Sequence, residues 1–241
     1  MKKLFALLLA LCLALAALPV LAEDAAAPMT HEEYINADLD TKVCIETYVQ
    51  ATQSWWEDKI SVYAQSPDGA YFIYNMACSQ EDAEKLVPGT KIRVEGFKSE
   101  WAGEIEITDA TFSFLEGEVP FIAEALDMEG IAGTDDVILH QNEHVVFKGV
   151  TVTEYVDMDG NATGAAFAYK NAENKTDDLY FTATKGDLQF SFCVEFYLTG
   201  NDTDVYKAVE GLQIGDVIDV EAYLYWYEGA NPHVIGVTKA E

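Results

Sequence analysis

The sequence predicts a mainly β protein built from two five-stranded Greek-key barrels in tandem, each with short helices. Three observations point there. First, the block Leu86-Val87-Pro88-Gly89-Thr90-Lys91-Ile92-Arg93-Val94-Glu95-Gly96-Phe97 recurs 126 positions later as Leu212-Gln213-Ile214-Gly215-Asp216-Val217-Ile218-Asp219-Val220-Glu221-Ala222-Tyr223. Leu, Gly, Ile, Val and Glu coincide at that one offset, Gly103 and Gly229 continue it, and such repetition marks a duplicated structural unit. Second, short alternating apolar runs bounded by turn residues surround each block. Third, 50% of the 241 residues are apolar and 12% aromatic, which suffices for two packed cores and excludes a disordered chain.

Residues 1–22 read as a secretory signal peptide. Lys2 and Lys3 open it, Leu4 to Ala17 form the apolar run, and Val20-Leu21-Ala22 supply a small-residue cleavage site. The run is short for a span of about 20 residues, and Pro19 follows it closely. The expected location is outside the cell, secreted or associated with its surface. Residues 23–29 form an acidic, Ala-rich tether, residues 30–120 a first domain and residues 121–241 a second. Asp and Glu number 42 against 14 Lys and Arg, a net charge of −28 that becomes −30 when Lys2 and Lys3 leave with the leader. Proteins that bind polyanions gather basic residues on one face, so nucleic acid is set aside as a partner on charge, and no membrane span is expected in the mature chain. Cys44, Cys78 and Cys193 remain after cleavage, an odd number; buried thiols and a Cys44–Cys78 bridge both fit.

In the first domain, Thr30-x-x-Glu33 is a capping box that opens a helix reaching Leu39. Val43, Ile45, Thr47 and Val49 alternate as strand one, and Ile60, Val62 and Ala64 as strand two. Ser66-Pro67-Asp68-Gly69 turns the chain into strand three at Tyr71 and Ile73. A short helix over Ser79–Leu86 follows, with Ser79 and Asp82 at its start. Pro88-Gly89 then leads into strand four, and Trp101-Ala102-Gly103 turns it into strand five from Ile105. The second domain repeats this scheme. A helix runs from Thr134 to about Gln141, strand one starts at Val145, and strands two and three cover Leu179–Thr184 and Leu188–Phe196. A second helix covers Asp202–Leu212 before the repeated block. The connection from Val156 to Asp177 is longer than its counterpart and carries an extra strand near Ala165–Tyr169.

Three strands, a helix and two strands, with Leu-x-Pro-Gly-x-x-Ile-x-Val-x-Gly leading into strand four, resemble the OB-fold. The resemblance covers Lys42–Phe112 and, more loosely, Val145–Thr238. The whole chain also resembles uncharacterised secreted proteins of Gram-positive bacteria with paired OB-like domains, a likeness that implies no activity.

The chain has no nucleophile elbow, phosphate loop or dinucleotide fingerprint. His140-Gln141-Asn142-Glu143-His144 matches the H-x-x-E-H pattern, in which two His one helical turn apart hold zinc. Val145-Val146-Phe147 starts a strand immediately, which places His144 at or past the helix end. Asp157-Met158-Asp159-Gly160-Asn161 suggests a calcium loop, but Gly160 stands one place early for an EF-hand and a connecting turn accounts for it. No cofactor or metal site is expected beyond weak calcium binding in the dense negative field.

Aromatic residues are the stronger signal. Trp55 and Trp56 lie between strands one and two, and Trp101 between strands four and five; Tyr225-Trp226-Tyr227 repeats the latter in the second copy. In the OB-fold these loops flank the ligand face of strands two and three. Rings there stack on sugars, while acidic side chains accept hydrogen bonds from hydroxyls. The leading expectation is a secreted, non-enzymatic binding module. Its ligand would be an oligosaccharide, peptide or cationic molecule at Trp55, Trp56, Trp101, Tyr225, Trp226 and Tyr227. The alternatives are a structural or protein-interaction spacer, oligonucleotide binding by fold analogy, and a zinc-dependent hydrolase at His140, Glu143 and His144. Packing of the same rings across a barrel mouth or between domains accounts for them equally well.

Overall fold

A computed structural model describes residues 27–157, 160–171, 173, 175 and 177–240; the leader and residues 23–26 of the tether lie outside the described residues. Helix α1 (His31–Asn36) starts at Thr30, whose Oγ1 accepts from the Glu33 N–H while Glu33 Oε2 accepts from the Thr30 N–H. Each bond satisfies a donor that the first helical turn leaves open. The first barrel comprises β1 (Lys42–Thr52), β2 (Lys59–Ser66), β3 (Gly69–Ala77), β4 (Lys91–Trp101) and β5 (Glu104–Phe114), with α2 (Gln80–Ala83) between β3 and β4. The sheet closes in the order β1-β2-β3-β5-β4, with β3 and β5 parallel. Ile45, Val49, Val62, Ile73, Met76, Ile92, Val94 and Ile107 fill its interior.

After β6 (Leu126–Asp127) the second barrel uses β7 (His144–Val152), β9 (Leu179–Lys185), β10 (Leu188–Val194), β11 (Val217–Tyr223) and β12 (His233–Lys239). They run β7-β11-β12-β10-β9, and a β7–β9 pairing closes the ring; β6 and β8 (Phe167–Tyr169) extend its edges. The order is therefore first, second, third, fifth, fourth in both barrels. Two short helices follow β10: α3 (Phe196–Thr199) and α4 (Asp204–Glu210). The chain between the barrels is tied to the first of them. The Gln50 amide donates to Phe121 O at 3.2 Å and accepts from the Ala123 N–H at 2.9 Å.

Several elements differ locally from expectation. The helix expected from Thr134 is a 3-10 turn over Asp135–His140, in keeping with the low helix propensity of adjacent Val137 and Ile138. Strand three of the second barrel stops at Val194, because Glu195 caps α3 by accepting from the Tyr197 N–H at 3.1 Å. Thr203 takes the cap of α4, which ends at Gly211. Cys44, Cys78 and Cys193 are all free and buried, so no Cys44–Cys78 bridge forms. Burial pushes the Cys78 thiol up to about 11.

Candidate functional site

The six aromatic residues expected to form one ligand patch are divided between three environments. The reason is that the outer face of β2 and β3, the ligand face in the OB comparison, is covered by the second barrel. Tyr63 of β2 stacks on Tyr223 of β11 with ring centroids 4.7 Å apart. Phe72 of β3 meets Tyr225 edge-on at 5.3 Å, and Tyr225 stacks on His233 at 4.3 Å. Tyr63 Oη and His233 Nδ1 share a hydrogen bond of 2.6 Å, and burial holds the imidazole pKa down to about 4. Both groups are therefore neutral at physiological pH, as an apolar interface requires.

Trp55 turns inward: its indole N–H donates to Cys78 O at 2.8 Å and its ring packs on the first core. Trp56 and Trp101 are 70% and 62% exposed. Trp56 lines a cleft with Tyr74 and Tyr197, and neither Trp55 nor Trp101 lines it. Trp226 lies against the β4–β5 turn, where a Cβ on Gly103 would approach its Cδ1 to 2.8 Å. Glu228 N–H donates to Ala102 O at 2.7 Å, so the equivalent turns of the two barrels grip each other. Tyr227 remains exposed beside this contact.

The H-x-x-E-H residues do not converge. His140 Nδ1 lies 3.1 Å from Glu143 Oε2, whereas His144 begins β7 and directs Nδ1 to Ala123 O at 3.0 Å and Nε2 toward Glu221 at 3.4 Å. Among the described residues no group of three or more His, Cys, Asp or Glu could hold a metal. Asp157 accepts from the Asn161 N–H at 2.8 Å as a turn residue does; Met158 and Asp159 lie outside the described residues.

A different cavity, of about 720 Å³, opens where α1, the β2–β3 turn, the β4–β5 turn and the 3-10 turn meet. Ile35, Ile138 and Leu139 give it an apolar, exposed rim. His31 braces one wall: its N–H donates to Asp68 Oδ2 at 3.0 Å, and its ring crosses Gly69, where a Cβ would lie 2.2 Å from the imidazole. Gln141 clamps the opposite wall. Its Oε1 accepts from the Ile105 N–H at 3.0 Å and its Nε2 donates to Gly103 O at 2.8 Å. Asn142, at φ +67°, adopts the left-handed conformation that Asn tolerates better than most residues. Its Nδ2 donates to Glu104 Oε1 at 2.5 Å, and Glu104 Oε2 accepts from the Trp226 N–H at 2.9 Å.

Two residues of this lining each hold a buried polar atom without a hydrogen-bond partner, Oη of Tyr34 and Oδ1 of Asn142. These residues are 1% and 3% exposed. Beneath them sits Glu104, wholly buried, whose pKa burial raises from 4.5 to about 8 against the pull of its two donors. Glu106, on the same strand, is raised to about 7 by burial. Burial also raises the Tyr34 phenol, reinforced by Glu104. The H-x-x-E-H pattern singles out His140, Glu143 and His144. The cavity instead uses the two residues between, Gln141 and Asn142, for which the motif gave no signal.

Architecture and cleft together define a tandem two-barrel protein of the OB type, with a cavity at the junction of its segments. No protein-family model matches the chain, and no curated relative matches it. Solved structures similar in architecture include a HINa domain in complex with 20-bp double-stranded DNA (14% identity, TM-score 0.35, covering 84% of this chain and 98% of that one). A murine DNA-binding protein bound with double-stranded DNA is 10% identical, with TM-score 0.36 and coverage of 82% and 96%. A HINb domain is 13% identical, with TM-score 0.36 and coverage of 83% and 100%. The likeness is one of fold. Two of these structures hold DNA, so the charge-based dismissal of nucleic acid in favour of glycan or polypeptide partners is withdrawn. The expectation of an oligosaccharide, peptide or cationic ligand on a shared patch of Trp55, Trp56, Trp101, Tyr225, Trp226 and Tyr227 falls with it. The second barrel occupies that face.

Proposed function

We propose that this chain is a non-enzymatic binding protein that holds a small, largely apolar molecule in the cleft beside α1. The ligand carries one hydroxyl or amide group. The apolar leader at residues 1–22 supports a role outside the cell. The observation that carries the reading is a 720 Å³ cavity two of whose lining residues, Tyr34 and Asn142, each hold a buried polar atom without a hydrogen-bond partner, Oη and Oδ1, which a ligand reaches once these side chains shift toward it. Ligand cavities are usually about 300–1,000 Å³ with a few polar groups among apolar walls. An unsatisfied buried polar atom costs about 1–3 kcal/mol, which a ligand that pairs with it recovers. The Asn142 amide leaves one half over in either orientation. With Glu104 ionised, Nδ2 donates to it and Oδ1 is spare; with Glu104 protonated, the flipped amide accepts its proton and Nδ2 is spare.

Tyr34→Phe tests this. Because Oη has no partner, removing it leaves the melting temperature of the unliganded protein unchanged or higher. A thermal-shift screen of small cyclic alcohols and amides should yield compounds that stabilise the wild type and bind Tyr34→Phe about tenfold more weakly, the worth of one hydrogen bond. If Tyr34→Phe loses more than about 1 kcal/mol without ligand, the hydroxyl is structural and the reading fails. It fails equally if hits are indifferent to Leu139→Trp, which obstructs the rim.

A further inference from the structure

A second cleft, of about 310 Å³, lies between the barrels and shares no lining residue with the one beside α1. Its aromatic walls come from three separately braced segments. Trp56 stands at the base of a two-residue hairpin turn and exchanges both backbone hydrogen bonds with Lys59 at 2.9 Å. The turn residues Glu57 (φ +45°) and Asp58 (φ +60°) are both left-handed without being glycine. Tyr74 lies in a bulge of β3, where Tyr74 and Asn75 together oppose Ser61, and Asn75 is again left-handed at φ +48°. Tyr197, on α3 of the second barrel, is held by its carbonyl, which accepts from Ser54 N–H at 2.6 Å and Ser54 Oγ at 3.2 Å.

Bulges and left-handed residues re-aim the side chains beside them, and here left-handed Asn75 lines the cleft next to Tyr74 while the Glu57-Asp58 turn, of the favoured two-residue hairpin geometry, sets the direction of Trp56. The aim is outward. Trp56, Tyr74 and Tyr197 are all exposed; Tyr74 meets Phe72 at 6.4 Å and Tyr197 meets Phe196 edge-on at 5.6 Å, but among the described residues the three rings have no contact with one another. They are flat walls around a gap. Gln53, Ser61 and Asn75 supply amide and hydroxyl groups beside the gap, and Gln53 Nε2 already donates to Glu195 Oε2 at 3.1 Å.

We propose that this cleft binds an uncharged, planar heteroaromatic compound of about purine size, its ring stacked between Trp56 and the tyrosines and its edge facing the amides. Stacking on aromatic side chains tolerates any π-face, whereas a cavity this small and ring-walled favours one bicyclic ring over a chain of sugars. Glu57 and Asp58 on the turn oppose a negatively charged substituent, and Lys59 opposes a positively charged one.

The test is calorimetric titration of the full chain with adenosine and with caffeine, using cyclohexanol as a saturated control. Both planar probes should bind and cyclohexanol should not. Trp56→Ala and Tyr197→Ala, one from each barrel, should each weaken binding at least tenfold while keeping the wild-type melting curve. Trp101→Ala, which removes an exposed indole outside the cleft, should leave binding unchanged. The proposal is overturned if neither planar probe binds at millimolar concentration, or if cyclohexanol binds as well as they do. It is overturned too if Trp101→Ala weakens binding as much as Trp56→Ala. A single-stranded oligonucleotide that binds through Trp56 a hundredfold more tightly than adenosine would replace it with a nucleic-acid groove.

Discussion

Glu104→Gln isolates the effect of a charge buried between the barrels. Glu104 opens β5, is wholly buried, and accepts from Asn142 Nδ2 on the connecting segment and from the Trp226 N–H on the second barrel. Its pKa rises from 4.5 to about 8, mainly through burial. Between those values the folded protein keeps a proton that the unfolded chain has released. The folded state therefore binds more protons, and stability falls as pH rises through the window. At about 1.4 kcal/mol per pH unit, the full interval amounts to about 5 kcal/mol. Gln reproduces the shape and never ionises; its Oε1 accepts from Trp226, and its Nε2 donates to Asn142 once that amide flips. Urea unfolding followed by fluorescence at pH 5, 7 and 9 should place the two proteins within about 1 kcal/mol at pH 5, with the variant about 3–5 kcal/mol more stable at pH 9. Glu106 and Glu195, both raised to about 7 by burial, act in the same direction in both proteins and cancel in the difference. A difference that does not change with pH, or a variant less stable at pH 9, would refute the reasoning.

Three further perturbations address the barrel contacts. Gly103 has φ +91°, and a Cβ there would press on Trp226 at 2.8 Å, so Gly103→Ala should cost about 1–3 kcal/mol in thermal unfolding and speed limited proteolysis between the barrels. Wild-type behaviour in both assays would show that the two turns are not in contact in solution. Tyr63→Phe removes the partner of His233 Nδ1 inside the interface and should cost about 1–3 kcal/mol near pH 7. The His233 pKa lies below its usual 6.5, at about 4, so the folded state binds fewer protons in that interval and stability falls as pH drops from 6.5 to 4. His233→Phe should flatten that acid limb; an unchanged acid limb would place the histidine in water.

By itself the sequence determined the repeated unit and the contents of each barrel. Residues two apart share a strand face, so alternation at Val43, Ile45, Thr47 and Val49 and the Pro88-Gly89 turn predict strands without knowledge of distant partners. The Thr30 capping box is equally local, its two ends three residues apart. What alternation cannot say is what covers a strand's outer face. Tyr63 and Phe72 point away from their own core, and whether that side meets water or another protein surface depends on Tyr223, Tyr225 and His233, roughly 150 residues further along the chain. The tertiary structure decided that the second barrel lies there, which removed the expected ligand face and turned Trp226 onto Gly103. It also brought Tyr34 and Asn142 to the lining of one cavity and set Glu104 beneath them, from three segments. Each of these residues has an ordinary local context, since a buried carboxyl is perturbed by the solvent that folding removes and an amide is left unpartnered only by what fails to arrive beside it. Both conditions are properties of the assembled chain, and no window of neighbouring residues contains them.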